Sequence, residues 1–154
     1  MGIDNNFEMA FFKSQIAAGI MLPHSGGAFI SIKDSDKTEA MLNALRNLND
    51  IGFILVATSG TKSFLDRAGI KNELVKKAFE GRPNIVDLLT DNKISIVMNT
   101  TEGEQSIRDS KDIRQLAIDR KIPYYTTLAG SNAAIKAMKR ELHGLSEVEP
   151  IQNF

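Results

Sequence analysis

GAFISIKDSDKTEAMLNALRNLNDIGFILVATSGT, residues 27–61, decides the fold of this chain. It opens on a short apolar run, AFISI (28–32), crosses a polar break, and becomes helical in pattern from Lys37 to Asp50. There Ala40, Met41, Ala44, Leu45 and Leu48 recur at three- and four-residue spacing and share one face. Gly52 then stands where a helix C-cap is needed, and FILVA (53–57) supplies a second apolar run with β-branched and aromatic content. A strand, a helix and a strand in this order predict two parallel strands joined by a right-handed crossover.

The alternation continues downstream. ISIVMN (94–99) and IPYYT (122–126) are further strand candidates, and the spans 62–68, 85–90, 107–120 and 131–142 carry helical periodicity. Asp34 and Ser35 are N-cap candidates for the helix from Lys37 to Asp50, and Gly69 closes the one that begins at Lys62. IKNELVKKAFEGRPN (70–84) is harder to assign, with a short strand at Leu74–Lys76 and a loop at Gly81, Arg82 and Pro83. The whole predicts an α/β fold, a parallel sheet covered by helices on both faces.

Upstream, Phe7, Ala10, Phe11, Ser14, Ile16 and Ala17 fall largely on one helical face, and Gly19 weakens the helix. MLPHSGG follows, with Pro23, Gly26 and Gly27, so residues 19–27 read as a linker. Phe7, Phe11 and Phe12 read as an exposed apolar surface on which a partner or a second copy of the chain could dock.

With 154 residues, 42% of them hydrophobic and 25% charged, the chain suffices for one core. Nineteen Lys and Arg balance 19 Asp and Glu, so no overall field draws the chain to nucleic acid or a membrane, and an anion site must be local. The absence of cysteine removes disulfides, thiolate zinc sites and cysteine nucleophiles together. His24 and His143 are the only imidazoles, too few for a histidine metal cluster, and read as solvent-facing or capping residues. Met9, Met41 and Met98 read as core packing. The N-terminal stretch carries Asp4, Glu8 and Lys13 and matches neither a signal peptide nor a membrane span, which makes the cytoplasm the expected location.

In a parallel sheet, ligands bind beyond the carboxyl ends of the strands, where helix N-termini present free N–H groups. The first strand ends in KDSDK, with Lys33 and Lys37 around Asp34 and Asp36; alone, this is a capped helix start. The second ends in ATSGTKS, where Thr58, Ser59, Gly60 and Thr61 fit either a phosphate cradle or a capped turn. ISIVMN runs into NTTEGEQS, so Asn99, Thr100 and Thr101 offer further hydrogen-bond donors. Two such turns at one sheet edge, with Lys37 and Lys77 as point charges, suggest a single phosphate pocket. Lys77 and Thr58 are expected to be partly exposed there. Neither GxxxxGK[ST] nor GxGxxG occurs. YYTTLAGS, with Tyr124, Tyr125, Thr126 and Thr127, reads on its chemistry as a helix cap.

GAFISIKDSDK, GFILVATSGT, LVKKAFEGRPNIVDLL, NTTEGEQSIRDSKDIRQLAI and YYTTLAGSNAAIKAM, in that order over about residues 28–142, resemble the methylglyoxal-synthase-like allosteric domain that ends the large subunit of carbamoyl-phosphate synthases. MGIDNNFEMAFFKSQ resembles the segment leading out of the preceding synthetase domain of that subunit. The resemblance implies a three-layer, Rossmann-like fold with a five-stranded parallel sheet. Residues 1–27 would be the helix and linker from the synthetase domain, and residues 28–154 the regulatory domain of a larger ligase in pyrimidine and arginine biosynthesis. It implies an effector pocket of Lys37, Thr58, Thr61, Lys77, Asn99, Thr100 and Thr101 that binds UMP as inhibitor or IMP as activator. Tyr124 and Thr126 would lie toward an ornithine site shared with a neighbouring domain.

The same resemblance implies no catalytic residue, metal or cofactor in this chain, since ATP and divalent metal belong to the synthetase domains. The other domains of the large subunit and the glutaminase small subunit would be its partners, with neither nucleic acid nor membrane among them. Methylglyoxal synthase itself, a lyase acting on dihydroxyacetone phosphate, is the enzymatic alternative. It carries a His-Asp pair at the first strand end and a GGD block around its catalytic aspartate, where this chain has Lys33-Asp34 and Gly81-Arg82-Pro83. The inosine monophosphate cyclohydrolase domain is a second alternative, which the EGRPNI and NTTEG blocks disfavour.

Overall fold

The computed structural model describes residues 1–100, 102–142, 150 and 152. Along the chain run α1 (Phe7–Ala17), β1 (Gly26–Ser31), a 3₁₀ turn (Asp34–Asp36), α2 (Glu39–Asp50), β2 (Phe53–Ala57), α3 (Ser59–Arg67) and β3 (Glu73–Leu74). They are followed by α4 (Ile85–Thr90), β4 (Ile94–Asn99), α5 (Gly103–Asp109), α6 (Lys111–Asp119), β5 (Tyr124–Tyr125) and α7 (Leu128–Glu141). The five strands form one parallel sheet in the order β3-β2-β1-β4-β5. This is the α/β architecture expected from the alternating pattern.

Strand alternation divides the core into two layers. Ala28 and Ile30 of β1, Phe53, Leu55 and Ala57 of β2 and Ile96 and Met98 of β4 pack with Leu45 and Leu48 of α2 and Ile135 and Met138 of α7. On the other face Phe29, Val56 and Val97 meet Ile85 and Leu89 of α4 and Ile113 of α6. Ile94 joins this second layer although Ile96 belongs to the first. The register explains it: Gly27 pairs with Ile94 and Ala28 with Ile96, so Ser95 is an inserted bulge residue that reverses the alternation.

Several boundaries differ from the sequence reading, each for a local reason. β1 starts at Gly26, inside the expected linker, because Gly26 and Gly27 lie against β4: a Cβ on either would collide with Ser95 Oγ or Lys93 O, and Gly26 has φ +118. The cap of α2 is Thr38, which accepts from Met41 N at 3.3 Å, since Asp34–Asp36 first close a 3₁₀ turn. The expected helix 107–120 is two helices that meet at Ser110, whose hydroxyl donates to Ile107 O at 3.0 Å and competes with continuation of the ladder. α7 begins at Leu128, earlier than Ser131, because Thr127 caps it through Gly130 N at 3.1 Å. The short strand near 74 is Glu73–Leu74, one residue before the expected position.

α1 presents a different face from the one the periodicity indicates. Met9 and Phe12 are buried in the first core layer, whereas Phe7 is 65% exposed. Phe12 therefore belongs to the core and not to the exposed apolar surface expected of it. Phe11 is half-buried and meets the Tyr125 ring with centroids 6.4 Å apart, and Tyr125 Oη donates to Gln15 Oε1 at 3.2 Å. Among the described residues, no helix is long and apolar enough to cross a membrane.

Candidate functional site

β1 is followed in space by β2 on one side and by β4 on the other. The segments leaving β1 and β4 diverge at this point, which opens a crevice at the carboxyl edge of an α/β sheet. A cleft of ≈ 350 Å³ lies there, lined among others by Ser31, Lys33, Asp34, Lys37, Thr58 and Gly60 and by residues of the three segments described below.

Two threonines hold the floor of this cleft. Thr61 Oγ1 accepts from the Ile32 backbone N–H at 2.9 Å, and Thr100 Oγ1 accepts from the Lys33 N–H at 3.1 Å. Successive amides beyond the end of β1, which have no strand partner, are thereby satisfied by side chains from α3 and from the residue after β4. Thr58 N donates to Ile30 O at 3.3 Å, and Thr58 Oγ1 donates to Thr61 Oγ1 at 3.4 Å and lies 3.5 Å from Ser31 Oγ. Thr58 is 4% exposed, so the expected partial exposure is corrected: its amide extends the β1–β2 ladder and its hydroxyl packs against two neighbours. Asn99, equally buried, donates through Nδ2 to Tyr124 Oη at 2.8 Å.

Above this floor sits a cation. Lys37 Nζ is 2.6 Å from Asp34 Oδ1, and a Cβ added to Gly60 would lie 3.5 Å from the ammonium, so Lys37 reaches over the first turn of α3. The N-cap of α3, Thr58, makes no side-chain cap bond, and the amides of Ser59, Gly60 and Thr61 have no intrahelical acceptor. Ammonium and helix N-terminus therefore reinforce one positive region. The hydrogen bond from Lys37, and then its charge, holds the Asp34 carboxyl below the usual carboxylate range.

Lys77 reaches the same cleft from the loop after β3. Its backbone N–H donates to Glu80 Oε2 at 2.8 Å, Glu80 N donates to Lys77 O at 3.1 Å, and Asn84 Nδ2 donates to Ala78 O and Gly81 O. Asn84 also caps α4 in a capping box with Asp87, so this loop is tied to a helix.

Lys37, Thr58, Thr61, Lys77, Asn99 and Thr100 thus line one cleft. Thr101, named with them from the sequence, lies outside the described residues, as does His143. Tyr124 and Thr126 are not among the lining residues; Tyr124 reaches the site through its hydrogen bond with Asn99 and packs against the core layer of Phe29 and Ile113, with Arg114 5.8 Å over its ring, and Thr126 is exposed. His24 lies 3.1 Å from Glu141. Phe79, Glu102, Ser106, Asp109, Ser110 and Ile113 also line the cleft. Pattern reading did not single them out individually, because nothing in a local periodicity tells which residues of a loop or a polar helix turn toward a strand end.

Residues 40–126 match the MGS-like domain family. Of the described residues expected to form the effector pocket, this match contains Thr58, Thr61, Lys77, Asn99 and Thr100 but not Lys37. Over all 154 residues the chain is 44% identical to the carbamoyl phosphate synthase large chain of Rhizobium meliloti and 46% identical to that of Myxococcus xanthus. It is 46% identical over 140 residues, 90% of the chain, to the carbamoyl phosphate synthase large chain, C-terminal section, of Methanopyrus kandleri. It spans 13%, 14% and 26% of those proteins respectively. With more than half of its length matched and two lysines, three threonines and an asparagine gathered at the expected sheet edge, the chain belongs to the MGS-like domain family, in the form found in the C-terminal section of carbamoyl phosphate synthase large chains.

Proposed function

We propose that this chain is the regulatory section of a glutamine-hydrolysing carbamoyl phosphate synthase and that its cleft binds a nucleoside monophosphate such as UMP or IMP. The observation that carries this reading is the position of Lys37 over the first turn of α3, in the same cleft as Lys77. A phosphoryl group placed there meets two ammonium groups and unpaired helix amides, all of which favour a dianion. Glu102, Ser106 and Asp109 line the same cleft and offer acceptors for sugar hydroxyls.

The effector acts by linkage. Unequal affinity for two states of the whole synthase shifts their populations, and the substrates of the synthase reciprocally alter effector affinity. On this reading residues 1–27 lead out of a preceding synthetase domain and dock through α1 on α7, and residues 28–154 form the regulatory unit. The chain by itself catalyses nothing, its cytoplasmic partners are the remaining large-subunit domains and the glutaminase subunit, and ATP and divalent metal act in the synthetase domains. Tyr124 and Thr126 face an ornithine site completed by another domain.

Calorimetric titration with UMP, IMP and dihydroxyacetone phosphate tests the reading. Nucleotide binding is expected, and Lys77→Ala should weaken it about tenfold or more, the loss of one charge-assisted contact. Conversion of dihydroxyacetone phosphate would replace this reading with that of a methylglyoxal synthase-type lyase. Absence of nucleotide binding would end it.

A further inference from the structure

Phe79 stands at the tip of the Lys77–Glu80 turn, lines the cleft, and is 61% exposed. The turn beneath it is held by Lys77 N to Glu80 Oε2 at 2.8 Å, Glu80 N to Lys77 O at 3.1 Å and Asn84 Nδ2 to Ala78 O at 3.2 Å. The backbone that carries this large aromatic ring is thus held in place, while the ring itself is left without a core to fill. Lys77 Nζ lies 5.8 Å from the ring centroid. The ammonium stands over the ring face, so cation and ring share one corner of the cleft, and a ligand whose phosphoryl group draws the ammonium off that face can lay a flat ring on Phe79.

We infer that Phe79 is a stacking platform for the ligand's base, which makes the cleft selective for phosphate esters that carry an aromatic ring over base-free sugar and triose phosphates. The inference rests on the proposed phosphate site and adds the residue that reads the other end of the ligand. Stacking on an aromatic side chain tolerates different bases, because each presents a π-face. The site then admits both purine and pyrimidine nucleotides and binds base-free phosphates more weakly, because they lack this contact. The turn is already ordered, so little entropy is lost when the base arrives.

The chain contains no tryptophan, so Phe79→Trp introduces a single reporter at the cleft rim. Its fluorescence should be quenched on titration with UMP or IMP and should not respond to ribose 5-phosphate. By calorimetry, Phe79→Ala and Phe79→Leu should both weaken UMP binding about tenfold and leave ribose 5-phosphate affinity unchanged within about twofold; the leucine variant keeps an apolar side chain and removes the π-face. Equal losses for both ligands, or no loss for UMP, would overturn the stacking role while the phosphate site stands. If the unaltered chain binds neither ligand, the phosphate-site reading fails, and the platform fails with it.

Discussion

Thr61 Oγ1 lies 2.9 Å from the backbone nitrogen of Ile32, a contact between residues 29 apart in the chain that joins the first turn of α3 to the end of β1. Thr61 is 1% exposed and Ile32 7%, so no water competes for the amide. Thr61→Val keeps the shape and removes the acceptor. It should cost about 1–3 kcal/mol, the penalty of a buried unpaired amide, and Thr61→Ser should recover most of it. Urea denaturation of the three proteins decides the matter; equal midpoints would mean that the contact carries no stability.

Lys37 and Asp34 form a 2.6 Å pair at the cleft mouth, with Asp34 almost wholly exposed. In Lys37→Met the Asp34 carboxyl should titrate at a higher pH, returning toward 3.8, as followed by carboxyl carbon resonances. The direction follows from linkage: a carboxyl lowered in the folded state stabilises it above its unfolded value, and that contribution is lost as pH falls through the folded value. An unchanged titration would show that the pair does not persist in solution.

α1 divides its phenylalanines between core and solvent. Phe12 is 7% exposed in the layer that contains Ile135 and Met138, whereas Phe7 is 65% exposed. Phe12→Ala should destabilise by about 3–5 kcal/mol through the cavity it leaves, and Phe7→Ala should change stability by less than about 0.5 kcal/mol. Similar thermal midpoints for the two variants would mean that α1 does not share the core.

Burial pushes the Tyr125 phenol from 10.0 up to about 12. Because the folded protein holds this proton more tightly than the unfolded chain does, the stabilisation is complete below pH 10 and disappears as pH rises toward 12. Ultraviolet titration should show a tyrosine ionising toward pH 12, and Tyr125→Phe should abolish that step. A single titration near pH 10 in the unaltered protein would contradict the burial.

The alternation of β-rich runs with helical spacing was enough to predict the parallel sheet, and FILVA and ISIVMN have the bounds expected of them. Hydrophobic periodicity carries that information because it must match one of two backbone repeats. It did not reveal that Gly26 and Gly27 are strand residues, since their role is the closeness of β4, which is set by a chain segment far away. Nor did it reveal the break at Ser110, where a hydroxyl's choice of acceptor outweighs helical propensity.

The site divides in the same way. That hydroxyl-rich turns and lysines would gather at one sheet edge follows from the order of segments alone, because parallel strands bring all their carboxyl ends to one side. Which of those hydroxyls support the edge and which line it as exposed groups is a tertiary matter: Thr58, Thr61 and Thr100 became buried by accepting or extending the hydrogen bonds that β1 leaves unfinished. Sequence by itself determined the fold class and the place of the cleft, through periodicity and strand direction. Only the packed structure decided burial and the prominence of Phe79, because both depend on distances between residues that the chain order leaves open.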